Sequence, residues 1–373
     1  MSRIIDEHRL YLRDRHRVSA YERALKEVVA PGHVVCDLAS GTGILGMLAC
    51  RAGASRVYAI EESAIAGLAR EIAKANGLAE RIVSVRGNAR FVSLPERADV
   101  IVCDQIGGFG LESDIVALFK DARERFLRGG GVLVPSEIEL IVAPVEHARL
   151  HARLRFWQRR PSGFDFTPAA SIAANTGYPV RLQPAHLLGL PAAGGRVDLG
   201  SDVALPIQVA ASLEASRDGV LHGITGWFVA RLSPGVRLTN SPLAPSRISR
   251  RPIFFPIDEP IAVKAGTPID VSMRLLPSET MYSWDVQVGS AAPFRHTTLR
   301  GMLIAKEDLA RTNPGYRPKL TPAGEARLTV LQLADGSTTL EEVERRVYER
   351  HKELFASPAQ AAVFVAEVVT RYG

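Results

Sequence analysis

The feature that most constrains this chain is a glycine-bearing turn, Asp37-Leu38-Ala39-Ser40-Gly41-Thr42-Gly43, set between two apolar segments. HVVCDLAS before it reads as a short strand, and ILGMLACRAGA after it reads as a helix. A strand feeding a glycine turn that opens a helix is the context of a nucleotide-binding loop, because glycines allow the tight turn and a close ligand approach. The spacing, taken as Asp-x-Ala-x-Gly-x-Gly without the third, helix-packing glycine of Gly-x-Gly-x-x-Gly, argues against a dinucleotide loop. The acid at the start of the turn would repel a pyrophosphate and can orient an ammonium group. Glu61 ends the next strand-like run, RVYAIEES, where an acid accepts hydrogen bonds from ribose hydroxyls.

Strands and helices continue to alternate. AIAGLAREIAKANG reads as a helix closed by Asn76 and Gly77. RIVSVRGN, ADVIVCDQ and GGVLVPSE read as strands, with DIVALFKDARERFL as a helix between the last two. This alternation predicts a mostly parallel sheet covered on both faces. After Pro135 many short strand-like runs follow, among them HGITGWFVARL, PIFFPI and MYSWDVQV, which predicts a β-sandwich or barrel. The last 60 or so residues turn helical again. Thr339 and Glu342 are expected to form a capping box, and Ser357-Pro358 to start a final helix. The expected fold class is therefore α/β. It comprises a Rossmann-like domain over 1–136, a β-barrel domain over 137–312, and a small helical or winged-helix-like domain over 313–373.

Composition narrows the setting. The chain has 373 residues, 46% of them hydrophobic and 23% charged, the balance of a soluble globular protein. No apolar run is long enough to span a bilayer, and the charged N-terminus carries no signal-peptide pattern, so membrane association is not expected. Three scattered cysteines argue against a disulfide framework or a metal site and fit a cytoplasmic location. The formal charge of +6 is modest and not concentrated, which argues against nucleic acid as a partner.

Taken together, YLRDRHRVSAYERAL, VVCDLASGTGILGMLACRAGASRVYAIEES, ADVIVCDQIGGFGLES, GITGWFVARL, VRLTNSP and IAVKAGTPIDV resemble the protein arginine methyltransferases in order and spacing, over roughly residues 6–305. The resemblance implies S-adenosyl-L-methionine as cofactor and a peptide or protein substrate. It implies that His8 and Arg17 close over the cofactor, Arg17 on its carboxylate. Asp37, Ala39, Gly41 and Gly43 would form the methionine-side turn. Glu61 would bind the ribose, and Asn88 and Ala89 would flank the adenine. It also implies a homodimer, with residues 161–190 as the candidate arm.

Two departures from the family pattern bear on the substrate. The family grips the acceptor guanidinium with two glutamates. Here Asp104 stands at the first, and either Glu112 serves as the second across a loop one residue shorter or the clamp is broken. The family's Thr-His-Trp loop is replaced by Ser246-Arg247-Ile248-Ser249-Arg250-Arg251, with Ile248 read at the histidine. Asp14, the histidine's expected partner, would then turn to Arg247 or Arg250. Three arginines at the substrate mouth would repel a guanidinium. That leaves open a non-arginine acceptor, such as an acidic peptide or metabolite, and a cofactor-binding scaffold without activity. The C-terminal segment resembles the winged-helix domains that bind leader peptides of ribosomally made natural products, which would make a precursor peptide the substrate.

Overall fold

A computed structural model describes residues 3–372. The chain falls into two compact units, 1–302 and 303–373. The boundary lies ten residues before the linker expected from sequence, and residues 302–320 are exposed throughout.

The first unit begins with helices α1 (Arg3–Arg13) and α2 (Arg15–Val28). The sheet strands are β1 (Val34–Leu38), β2 (Arg56–Glu61), β3 (Ile82–Arg86), β4 (Ala98–Cys103) and β5 (Leu127–Val134). Helices α3 (Ile44–Ala52), α4 (Ile65–Ala75) and α5 (Ile115–Phe126) lie between them. The strands are parallel, in the order β3-β2-β1-β4-β5. All five residues of β1 are buried, which is why its sequence is continuously apolar apart from Asp37. The strand order reverses direction beside β1, between β1 and β4. A crevice therefore opens at the carboxyl ends of these two strands, where open α/β sheets bind ligands.

Strand β6 (Glu137–Val145) carries the chain out of that sheet, and α6 (Ala148–Arg155), α7 (Pro168–Ala174) and β7 (Tyr178–Pro179) form the excursion after it. There follow β8 (Ala192–Asp198), β9 (Ile207–Glu214), β10 (Gly219–Ser233), β11 (Val236–Thr239), β12 (Ile253–Val263), β13 (Pro268–Leu276), β14 (Met281–Val288) and β15 (Phe294–Thr297), with α8 (Thr298–Gly301) ending the unit. They form two sheets, β7-β12-β10-β6-β8 with β11 on β10, and β15-β14-β13-β9. The alternating burial of β13 and β14 puts Val271, Met273, Trp284 and Val286 inside. The long strand β10 pairs with both β6 and β12 and brings Trp227 and Phe228 into the core.

The second unit contains α9 (Lys306–Arg311), α10 (Pro322–Leu333), α11 (Leu340–Arg350) and α12 (Pro358–Tyr372). Val330, Val343, Val347, Val365 and Val368 form its own small core. Among the described residues from 303 onward there are helices and no strand. The capping box is only half formed. Thr339 Oγ1 accepts from the Glu342 amide at 3.4 Å, but the Glu342 carboxylate turns to Arg345 and Arg346 instead of back to the cap. Because each unit has its own apolar core, a protein ending at residue 302 should fold and bind cofactor as the full chain does. A melting curve and a calorimetric titration check this; insolubility or a lost binding signal would contradict it.

Candidate functional site

The crevice between β1 and β4 is a cavity of about 740 Å³, lined by α1, α2, the turn after β1, Glu61, the loop after β4, and the barrel loop holding Ile248–Arg251. A second cavity of about 370 Å³ continues from it toward Asn88 and Ala89. Ala39, Glu61, Gln105 and Ser113 line both, so the two make one cleft.

The glycine turn is built as its residue types require. Ala39, Gly41 and Gly43 have φ of 51°, 55° and 80°, the left-handed region that favours glycine. The Ser40 hydroxyl is buried without a partner at the cleft wall. Gly41 lies under His8, where an added Cβ would stand 2.5 Å from the ring. Helix α1 therefore covers the turn through His8.

The Asp37 carboxylate is fully buried behind the turn. Its Oδ2 accepts from the Gly46 amide at 2.8 Å and pins the start of α3, while Oδ1 has no hydrogen-bond partner among the described residues. Gly46 corrects the expectation that the third, packing glycine is lacking: a Cβ there would stand 3.0 Å from Val57 Cγ1. Gly41, Gly43 and Gly46 thus complete a Gly-x-Gly-x-x-Gly pattern, so glycine spacing does not distinguish this turn from a dinucleotide loop. Burial pushes the Asp37 carboxyl up to about 7 from 3.8. The folded chain then holds a proton that the unfolded chain releases, so stability falls as pH rises from about 4 to 7. Asp37→Asn should flatten that part of the profile, a difference on the order of a few kcal/mol across the window. Melting temperatures of the two proteins at pH 4.5 and 7.5 check it; parallel profiles would contradict it.

Glu61 Oε2 accepts from Gly41 N and Oε1 from Ser63 N, both at 2.9 Å, which holds the carboxylate at the junction of the two cavities. Asn88 donates to Glu62 at 3.0 Å and accepts from Arg90 N, fixing the loop that lines the outer cavity with Ala89.

At the inner end, Asp104 follows β4 and is the hub of a charged cluster. Arg17 Nε donates to its Oδ2. The Tyr21 hydroxyl lies 3.0 Å from Oδ1 and 3.0 Å from the Cys103 carbonyl. Arg250 approaches from the barrel side, Nη2 at 3.3 Å from Oδ2 and Nη1 at 3.5 Å from Oδ1. Arg17 is thus engaged with Asp104 and, through Nη1, with the Tyr11 carbonyl at 3.3 Å, while still lining the cleft. Tyr21 carries no sequence signal for this place; only the fold brings its hydroxyl to the site.

Glu112 is not presented to the cleft. Its carboxylate accepts from the amides of Phe109 at 2.6 Å and Leu111 at 3.1 Å, inside its own loop, and burial raises its pKa. Ser113 lines the cleft instead. The loop is held to the barrel by two devices that sequence reading missed. Phe109 fills the space that a side chain at Gly226 would take, 2.5 Å from an added Cβ. Asn240 donates to the Gly108 carbonyl at 2.7 Å and accepts from Phe228 N at 3.1 Å.

The barrel loop also corrects the expected register. Asp14 Oδ2 accepts from the Ser249 amide at 2.6 Å and its hydroxyl at 2.8 Å, so its partner is Ser249 and neither Arg247 nor Arg250. Ser249 therefore occupies the place assigned to Ile248, and Arg250 follows where the family pattern has tryptophan. Arg247 turns away to the Pro242 carbonyl at 2.7 Å, leaving two of the loop's three arginines, Arg250 and Arg251, in the cleft lining.

Comparison with known proteins decides the lineage. Residues 137–288 match the arginine methyltransferase oligomerization subdomain, and 21–138 match the ribosomal protein L11 methyltransferase model. An arginine N(omega)-methyltransferase of Streptomyces achromogenes is 30% identical over 275 residues, 69% of this chain and 73% of that protein. The chain belongs to the arginine methyltransferase family. As a member it is an S-adenosylmethionine-dependent N-methyltransferase. Protein arginine N-methyltransferase 6 of Xenopus laevis is 29% identical over 73% of this methyltransferase and 84% of its own length. A probable protein arginine N-methyltransferase 6 of Arabidopsis thaliana is 34% identical, but the match spans only 40% of that protein. In fold, the PRMT1 enzyme-prozyme complex of Trypanosoma brucei is similar with a TM-score of 0.72 at 22% identity, over 78% of this chain and 96% of that one. The open Arabidopsis thaliana protein arginine methyltransferase 10 gives 0.66 at 23%, over 77% and 96%. The residues present fit the cofactor: a glycine cradle, an unpartnered Ser40 hydroxyl, and Glu61 where two cavities meet.

Proposed function

We propose that this methyltransferase acts on an arginine side chain of a peptide or protein. The observation that carries this is Asp104, a carboxylate at the inner end of the cleft, past the glycine turn from Glu61. A guanidinium needs a carboxylate to hold it and to align one nitrogen for in-line attack. When bound, S-adenosylmethionine supplies the electrophilic methyl group. Glu61 holds the ribose, Asn88 and Ala89 flank the adenine, and Arg17 with the turn 39–43 holds the methionine end. His8 and α1 exclude water from above the turn. Glu112 acts by shaping the 104–113 loop that presents Asp104. The test is methyl transfer from labelled cofactor to arginine-glycine-rich peptides, followed by acid hydrolysis. Labelled methylarginine is expected; label in a base-labile ester, or in another residue, would contradict the reading.

No described helix is long and apolar enough to cross a membrane. The three cysteines are free and buried, which supports a reducing, cytoplasmic setting. The exposed Phe164 and Phe166, in the segment before α7, support residues 161–190 as a homodimer arm. Sedimentation of Phe164→Glu reads this, and an unchanged mass would count against it.

A further inference from the structure

The acceptor carboxylate of this cleft already carries a guanidinium from its own chain. Four carboxylates line the inner cavity: Glu7, Asp14, Glu61 and Asp104. Glu7 takes the Tyr11 hydroxyl at 2.7 Å, Asp14 takes Ser249, and Glu61 takes Gly41 and Ser63. Among the described residues Asp104 is the one of the four that is paired with guanidinium groups. Its two other partners, Arg17 and Tyr21, both come from α2 and form the fixed wall. Arg250 comes from the opposite side, on the barrel loop, and sets both terminal nitrogens toward both Asp104 oxygens. That is the fork-to-carboxylate arrangement an arginine substrate would adopt. Its distances of 3.3 and 3.5 Å exceed the 2.7–2.9 Å or so of strong charge-assisted bonds. Arg250 is thus the weakly held arginine of the pair.

We propose that Arg250 is a specificity-determining residue that occupies the acceptor guanidinium subsite and must withdraw before a substrate arginine binds. This rests on the arginine-acceptor reading above. Like charge makes the exclusion stronger than bulk alone, because a third guanidinium would join Arg17 and Arg250 around one carboxylate. An acceptor peptide that carries a carboxylate beside its arginine gives Arg250 a new partner as it leaves. Plain arginine-glycine peptides offer no such exchange and are expected to bind poorly.

The experiment measures kcat and KM on an arginine-glycine peptide, and on the same peptide with aspartate beside the arginine. The proteins are the wild type, Arg250→Ala, Arg250→Lys and Arg247→Ala, each checked for melting temperature and S-adenosylhomocysteine affinity. Arg250→Ala should lower KM for the plain peptide at least tenfold with kcat within about threefold, and lower it much less for the aspartate peptide. Arg250→Lys, charged but without the fork, should fall between, and Arg247→Ala should match wild type. If wild type methylates arginine and both Arg250 variants are no better or worse, Arg250 helps grip the substrate and the inference is overturned while the activity stands. If all four bind cofactor but none methylates arginine in either peptide, the arginine reading fails and the inference falls with it.

Discussion

Asp104→Asn should cut methyl transfer by at least about a hundredfold while leaving S-adenosylhomocysteine binding measurable. The asparagine keeps the shape but removes the charge shared by Arg17, Arg250 and the incoming acceptor. Arg17 is 6% exposed, so the substitution strands a buried cation. Removing one partner of a buried pair costs about 3–5 kcal/mol, so a lower melting temperature is expected as well. Asp104→Glu separates the two effects, because it keeps the charge: its melting temperature should stay near wild type even where its geometry slows turnover. Turnover of Asp104→Asn within a few-fold of wild type would remove Asp104 from the acceptor site.

The second large effect concerns Glu61. Its loss removes a two-pronged acceptor for ribose hydroxyls and also frees Gly41 N, which shapes the turn. One charged hydrogen-bonding group is worth about 1.5–3 kcal/mol. Glu61→Ala should therefore weaken cofactor affinity by about 10- to 150-fold in a calorimetric titration. Glu61→Gln, which keeps one acceptor oxygen, should lose less. Unchanged affinity in both would place the ribose elsewhere.

The parts of the site that sit at strand ends were legible in the sequence. β1 and the turn after it are local, so the apolar run, the glycines and Glu61 sufficed to place half of the cleft. The rest depends on contacts that no local pattern encodes. Asp14 and Ser249 are 235 positions apart, and a one-residue shift of a loop without periodicity decides whether Ile248 or Ser249 faces the helix. Gly46 brings the α3 backbone close enough to take Oδ2 of Asp37, a contact that the spacing of the motif did not announce. Glu112 was offered as the second clamp residue by the resemblance, across a loop one residue shorter, whereas the missing side chain at Gly107 lets the loop fold around its carboxylate. The C-terminal helices were readable from caps and apolar spacing.

The central claim is that one cleft holds the cofactor against Glu61 and an arginine against Asp104. A crystal structure with S-adenosylhomocysteine and an arginine peptide tests it most directly. The account predicts ribose hydroxyls on Glu61, the homocysteine sulfur facing Asp104, and the peptide guanidinium on Asp104 with Arg250 swung out. A nucleoside bound away from Glu61, or a peptide arginine seated with no contact to Asp104, would contradict it.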